Sequence, residues 1–487
     1  MNEQMTPASL AGSTPVKVTP ESMDRAQGKK PRDPRLDFFR GIAMFVILIA
    51  HTSFNSWTLW IPARFGFSDA TETFVFCSGM ASAIAFAGVF DRSGFFLGVA
   101  RVAHRVWQVY WAHICLFLAV CLWVSLIDVI GDHGDTLKTR LNLMNFFERD
   151  TSQQLIGLMT LTYVPNYFDI LPMYLVILCM IPIVMGLARI SPYLALAFCA
   201  SLWLATNVEQ FINWYWGTSY EYLRFPAEPW NHEGWATWYH GGTIPPEAQG
   251  NFVSREWFFN PFAWQLIFFT GFAFMRGWIP APPVNRWLIA LAAAVVVVSL
   301  PWAYFRIFAG ELWLGELSPV GVPWDETALN LWLEEHKFFA GVDGEGGYTL
   351  LEMRQNILFL IWKTNFGLFR YLHFLATAYL AWVAVGAGGK YLISSGLWGQ
   401  FVKIVSTVGQ QSLAIFLFSM LFAQVIGYTF YPPVGHPFHI TAPADLWTWR
   451  ELHTAIVNIG GMITLVLVAY LCKWFKSQPW RVKTKPA

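Results

Sequence analysis

An all-α, multi-pass membrane fold is what this 487-residue sequence predicts, on three observations. Its residues are 55% hydrophobic and only 13% charged, with a mean hydropathy of +0.42, whereas a soluble globular chain carries about 25% charged residues. Apolar stretches of near 20 residues recur along it, each long enough to cross a hydrocarbon layer about 30 Å thick as a helix. Lys and Arg gather at alternate ends of those stretches. A water-soluble domain is excluded. The formal net charge of +1 removes any general case for nucleic-acid binding, which needs a basic face. The six cysteines show no CxxC and no metal-ligand spacing, so they read as buried thiols, with no disulfide framework and no metal or redox cofactor.

Residues 1–35 are rich in Thr, Pro, Ser, Gly, Lys and Arg without apolar periodicity, which predicts a disordered cytoplasmic tail. The membrane domain covers 36–474, and 475–487 form a basic cytoplasmic tail. The first apolar run, Phe38 to about Trp60, is too long for a cleaved secretory segment and is expected to remain as an anchor. Further spans follow at about 70–90, 107–127, 170–188, 193–208, 260–278, 286–305, 368–387, 410–430 and 454–473, about ten transmembrane helices in all. An even number puts both termini on one side. With that side cytoplasmic, 20 Lys and Arg fall inside against 12 outside, a roughly threefold higher density inside. Both termini are therefore expected in the cytoplasm.

The inner loops are then short, and the outer ones at about 128–169, 209–259 and 306–367 are long. The second carries Trp230, Trp235, Trp238 and Tyr239, and the third Trp313, Trp324 and Trp332 among many carboxylates. Aromatic faces beside polar groups suit sugar rings, although an interfacial aromatic belt accounts for them equally. No internal repeat is visible, which weighs against a transporter built from repeated halves.

Arg40 and His51 lie eleven helical steps apart, on nearly the same face and about 16 Å apart along the axis. With Arg40 at the headgroups, His51 falls deep in the hydrocarbon layer, where an ionisable group is costly unless it faces a cavity or a partner. A neutral, hydrogen-bonded histidine is the structural alternative, but Thr52, Ser53, Asn55 and Ser56 make the adjoining stretch polar too. Asp69 and Glu72 have the spacing of an N-cap and its N3 partner. Either carboxylate also suits the task of orienting an imidazole that acts as general base. On the inner side Arg101, His104 and Arg105 join Arg40 in a basic face fit for phosphate, or simply for anchoring at the membrane surface. Ser78, His113, and the helically spaced Arg370 and His373 are further polar candidates for substrate contacts.

Arg40-x10-His51 resembles the Arg-x10-His motif of the membrane acyltransferase type 3 superfamily. Arg35-Leu36-Asp37-Phe38-Phe39-Arg40-Gly41, Phe65-Gly66-Phe67-Ser68-Asp69-Ala70, Phe74-Val75-Phe76-Cys77-Ser78-Gly79 and Arg105-Val106-Trp107-Gln108-Val109-Tyr110-Trp111-Ala112-His113 look like its OpgC branch. Cys77 departs from that pattern, which has an apolar residue before Ser-Gly. The resemblance implies an enzyme of the bacterial inner membrane that moves succinyl groups from cytoplasmic succinyl-CoA onto osmoregulated periplasmic glucans. Arg40 would then contact the CoA phosphates, with Arg101, His104 and Arg105 beside it, and His51 would deprotonate a glucan hydroxyl. The partners implied are the lipid bilayer, the acyl-CoA donor and the glucan acceptor. The competing expectation is a transporter or exporter of a glycan or a lipid-linked substrate, since intramembrane histidines and carboxylates also mark transport paths. A structural subunit of a glucan-synthesis complex is a third.

Overall fold

A computed structural model describes residues 33–52, 55–131, 134–149, 151–216, 222–223, 225, 227, 256–303, 357–430 and 447–478. Among these the architecture is all-helical. The long helices are α1 Pro34–His51, α2 Ala70–Ser82 with its continuation to Ser93, and α3 Phe95–Gly131. Two short helices follow, α4 Gly134–Leu141 and α5 Thr151–Met159, then α6 Ile170–Ile190, α7 Pro192–Trp216, α8 Pro261–Arg276 and α9 Arg286–Ala303. The chain continues with α10 Leu368–Val385, α11 Leu397–Gln410, α12 Ser412–Phe430 and α13 Trp447–Ser477.

Each expected span falls on one of these helices, and among the described residues seven helices are long and apolar enough to cross a bilayer: Ala70–Ser93, Phe95–Ile130, Ile170–Ile190, Pro192–Asn213, Leu368–Val385, Ser412–Phe430 and Leu452–Ser477. The other three expected spans are α1, α8 and α9. Helix α1 carries Arg35, Asp37, Arg40 and His51, α8 has 16 residues, and the apolar part of α9 is Arg286–Leu300. Trp111, Leu118, Leu122, Leu126 and Val129 form an exposed apolar stripe along α3; a stripe of that size fits lipid rather than water.

Four expectations shift. Helix α1 begins at Pro34, inside the tail expected over 1–35, because Asp33 caps it by accepting from the Arg35 N–H at 2.9 Å. It ends at His51 rather than near Trp60, since Thr52 turns extended and its hydroxyl bonds back to the Leu48 carbonyl at 2.8 Å. The 128–169 loop is largely helical, holding α4, α5 and a π turn at Asn145–Arg149. Residues 1–32 and 479–487, and the Trp-rich parts of the loops at 228–255 and 304–356, lie outside the described residues. All six cysteines are free, with Cys77, Cys121 and Cys199 buried but Cys115 and Cys179 exposed on outward helix faces, contrary to the expected burial.

Helix α1 is central, packing against α2, α11, α12 and α13, while α2 also packs on α8, and α8 on α6 and α7. Small residues permit the closest crossings. A side chain at Gly79 of α2 would meet the Phe268 carbonyl of α8, and one at Gly271 of α8 would meet the Phe76 carbonyl of α2. Met44 and Leu48 of α1, Phe117 of α3, Trp264, Phe268 and Phe272 of α8 and Phe416 of α12 form the fully buried core. Helix α11 escapes the span reading because it is short and amphipathic, burying Val402, Val405 and Val408 towards α1 while exposing Leu397, Trp398 and Phe401.

Candidate active site

Three helix ends meet around His51: the C-terminal end of α1 and the N-terminal ends of α2 and α10. At the start of α2, Asp69 and Glu72 form a full capping box. The Asp69 carboxylate accepts from the Thr71 N–H at 2.6 Å, and the Asp69 N–H donates to Glu72 Oε2 at 2.8 Å. Capping leaves each carboxylate a second oxygen. Asp69 Oδ2 takes the Lys363 ammonium at 2.5 Å, and Glu72 Oε1 takes Arg370 Nη1 at 2.8 Å. Two carboxylates and two cations thus balance in a patch where Glu72 is 0% exposed. Burial works against the charge of Asp69, but the neighbouring Lys363 and Arg370 outweigh it and hold the Asp69 carboxyl well below the usual carboxylate range.

Lys363 is the member that sequence reading missed, since it lies within the stretch read as the 306–367 loop. Its own segment is fixed by backbone-directed bonds. Trp264 Nε1 donates to the Lys363 carbonyl at 2.9 Å, Trp203 Nε1 to the Phe366 carbonyl at 2.8 Å, and the Asn260 N–H to the Thr364 carbonyl at 3.1 Å. The ammonium also lies over the Phe258 and Phe259 rings, at 5.8 and 5.7 Å from their centroids. A lysine so close in sequence to Arg370 was the available signal, but nothing local pairs it with a residue 294 positions earlier.

His51 is the last residue of α1. Its Nδ1 lies 2.8 Å from the Ile47 carbonyl; a carbonyl only accepts, so Nδ1 carries the proton and Nε2 keeps its lone pair. A backbone carbonyl one turn back takes this nitrogen, and the hydrogen bonds of the two carboxylates go to Lys363 and Arg370. Asp69 and Lys363 remain close enough for their charges to act on the imidazole. Tyr167 meets the ring edge-on, with centroids 5.2 Å apart. Beyond α1, Asn55 and Asn458 exchange two side-chain hydrogen bonds at 2.7 and 2.9 Å, tying this end to α13.

His373 joins the cluster from α10. Its Nδ1 accepts from the Ser68 N–H at 3.3 Å and lies 2.7 Å from the Ser68 hydroxyl, so the proton sits on Nε2. That edge of the ring lies against Gly66, where an added Cβ would overlap the imidazole; only glycine leaves room for the ring. His113 is 0% exposed in α3, with the Phe168 ring edge-on at 6.3 Å, and neither ring nitrogen has a hydrogen-bond partner among the described residues. Ser78 is buried two turns along α2 from Glu72.

The inner basic residues are placed differently. Arg40 is half-buried and donates through Nη2 to the Ser412 hydroxyl at the start of α12, with Cys77 within reach of its charge. Arg101 and His104 are exposed and Arg105 half-buried on α3, where His104 Nε2 lies 3.0 Å from Gln108 Nε2 and Arg105 donates to Gln108 Oε1 at 3.3 Å. The sequence-predicted residues therefore separate into a tight group of His51, Asp69, Glu72, Arg370 and His373, and basic residues placed on other surfaces.

No curated protein and no solved structure matches the chain. The model of the OpgC protein family matches residues 32–477, from just before the cap of α1 to the end of α13. That match supports a glucan-modifying acyltransferase, and the apolar helices support a membrane protein. On the strength of a match covering nearly the whole chain, the protein belongs to the OpgC family.

Proposed function

We propose that this protein is an acyl-CoA-dependent O-acyltransferase of the inner membrane, within the acyltransferase type 3 superfamily, that moves a succinyl group from cytoplasmic succinyl-CoA to hydroxyls of periplasmic glucans. The observation that carries the proposal is the state of His51: Nδ1–H is engaged by the Ile47 carbonyl at 2.8 Å, which leaves Nε2 as a bare proton acceptor beside a charge-balanced cluster. Nε2 takes the proton of a glucan hydroxyl as its oxygen attacks the thioester carbonyl. The C–S bond breaks, CoA leaves as the thiol with that proton, and the glucan keeps a succinyl ester. A general base of this kind contributes about 10²–10⁴-fold in rate.

Arg40 and, on α3, Arg101, His104 and Arg105 are proposed to receive the CoA phosphates, for which guanidinium groups are suited. The Asp69–Lys363 and Glu72–Arg370 pairs fix the ends of α2 and α10 around His51, and His373, Ser78 and His113 line the acceptor and acyl path. Topology follows from the basic-residue asymmetry: both termini cytoplasmic and the long loops periplasmic. Incubating the detergent-purified protein with succinyl-CoA and periplasmic glucan tests the reading through release of free thiol. Release that depends on the acceptor is the expected result. Glucan movement across liposomes without thiol release would instead establish a transporter.

A further inference from the structure

We propose that Tyr167 is a positioning residue for His51, held in a costly backbone conformation so that its ring clamps the imidazole. Its backbone φ is +72°, a region costly for bulky side chains. Two other non-glycine residues in this part of the chain, Asn142 and Leu161, also have positive φ. Asn142 comes one residue after the end of α4 and Leu161 two residues after the end of α5, where a left-handed residue serves as a helix C-cap. Tyr167 closes no helix. It is the third residue of a turn in which the Phe168 N–H donates to the Pro165 carbonyl at 3.2 Å, a position that tight turns with positive φ normally give to glycine. The segment around it is tied down, with the Asn166 N–H on the Leu141 carbonyl at 3.1 Å and the Tyr163 hydroxyl on the Asn142 carbonyl at 3.1 Å.

The side chain explains the choice of residue. The Tyr167 ring meets His51 edge-on at 5.2 Å and 69°, while its neighbour Phe168 meets His113 in the same way at 6.3 Å and 79°. His51 needs such a neighbour. It is the last residue of α1, and among the described residues the Ile47 carbonyl alone holds Nδ1. A ring against the imidazole removes the competing rotations and keeps Nε2 pointed one way. The inference rests on the reading of His51 as the general base.

The test compares Tyr167→Phe, Tyr167→Gly and wild type in two readouts. The first is acceptor-dependent thiol release. The second is the imidazole ¹⁵N spectrum of histidine-labelled protein, with the His51 signals assigned by their loss in His51→Gln. Tyr167→Phe, which keeps the ring, is expected to retain kcat within about twofold and the wild-type spectrum. Tyr167→Gly, which suits the turn but lacks the ring, is expected to fold and to lower kcat at least tenfold with little change in KM for succinyl-CoA. Its His51 signals should move from a single Nδ1–H tautomer to an averaged pair. A folded Tyr167→Gly with wild-type kcat and an unchanged His51 spectrum would overturn the inference. If wild type releases no thiol, the acyltransferase reading fails, and the spectrum still decides whether Tyr167 positions His51.

Discussion

Glu72 and Arg370 form an ion pair at 2.8 Å across 298 residues of chain, with the carboxylate fully removed from solvent. Because Glu72 also caps α2 through the Asp69 N–H, one side chain sets both the start of that helix and its distance from α10. Breaking a buried pair from one side leaves an uncompensated charge and costs about 3–5 kcal/mol. Arg370→Met is therefore expected to lower the thermal midpoint in detergent sharply, and Glu72→Gln with Arg370→Met to cost less than the sum of the two single changes. Simple additivity in this double-mutant cycle would mean that the pair is not coupled.

The Asp69–Lys363 pair is less enclosed, with Lys363 a quarter exposed. Its loss should cost less, about 1.5–3 kcal/mol, the range for a hydrogen bond to a charged group. Lys363→Met is expected to lower turnover as well, because it leaves the Asp69 carboxylate, which caps α2, without its partner. Thermal melts and thiol-release rates of the same preparation check both effects, and a variant with wild-type values in each would remove Lys363 from the site.

Acidity separates the carboxylate from the imidazole. The folded Asp69 carboxyl is held below its ordinary value, so its stabilising contribution is complete above an unfolded value of about 3.9 and is lost only as the pH falls below it. Between pH 8 and 5 the Asp69–Lys363 pair is expected to contribute a constant stability. A fall in activity across that window, at a thermal midpoint unchanged from its pH 8 value, would then come from a group other than Asp69. A stability loss in wild type that Asp69→Asn abolishes would contradict this assignment.

The helices were legible because length and hydropathy are local properties: every expected span overlaps a helix, and seven helices among the described residues are long and apolar enough to cross a bilayer. The capping role of Asp69 and Glu72 was legible for the same reason: it is a matter of four consecutive residues. His51, Arg370 and His373 each stood out as polar groups in apolar surroundings, and the fold gathers them. Lys363 and Tyr167 did not stand out. The first follows the short apolar run Ile357–Trp362 within a stretch read as a loop, and the second lies in a loop with no local pattern to mark it. Each acquires its meaning from a partner more than a hundred residues away, Asp69 for Lys363 and His51 for Tyr167. The end of α1 at His51 was also hidden: Trp57, Leu59 and Trp60 carry the apolar reading past it, while Thr52 bonds back to Leu48 and Asn55 caps the next short turn.

The central claim is that His51 Nε2 removes the proton from the acceptor hydroxyl. Thiol release from succinyl-CoA in the presence of periplasmic glucan, measured side by side for wild type and His51→Gln at equal folded concentration, addresses it most directly. A drop of about 10²–10⁴-fold in acceptor-dependent release, at an unchanged thermal midpoint, is the predicted result. Release by His51→Gln at the wild-type rate would contradict it.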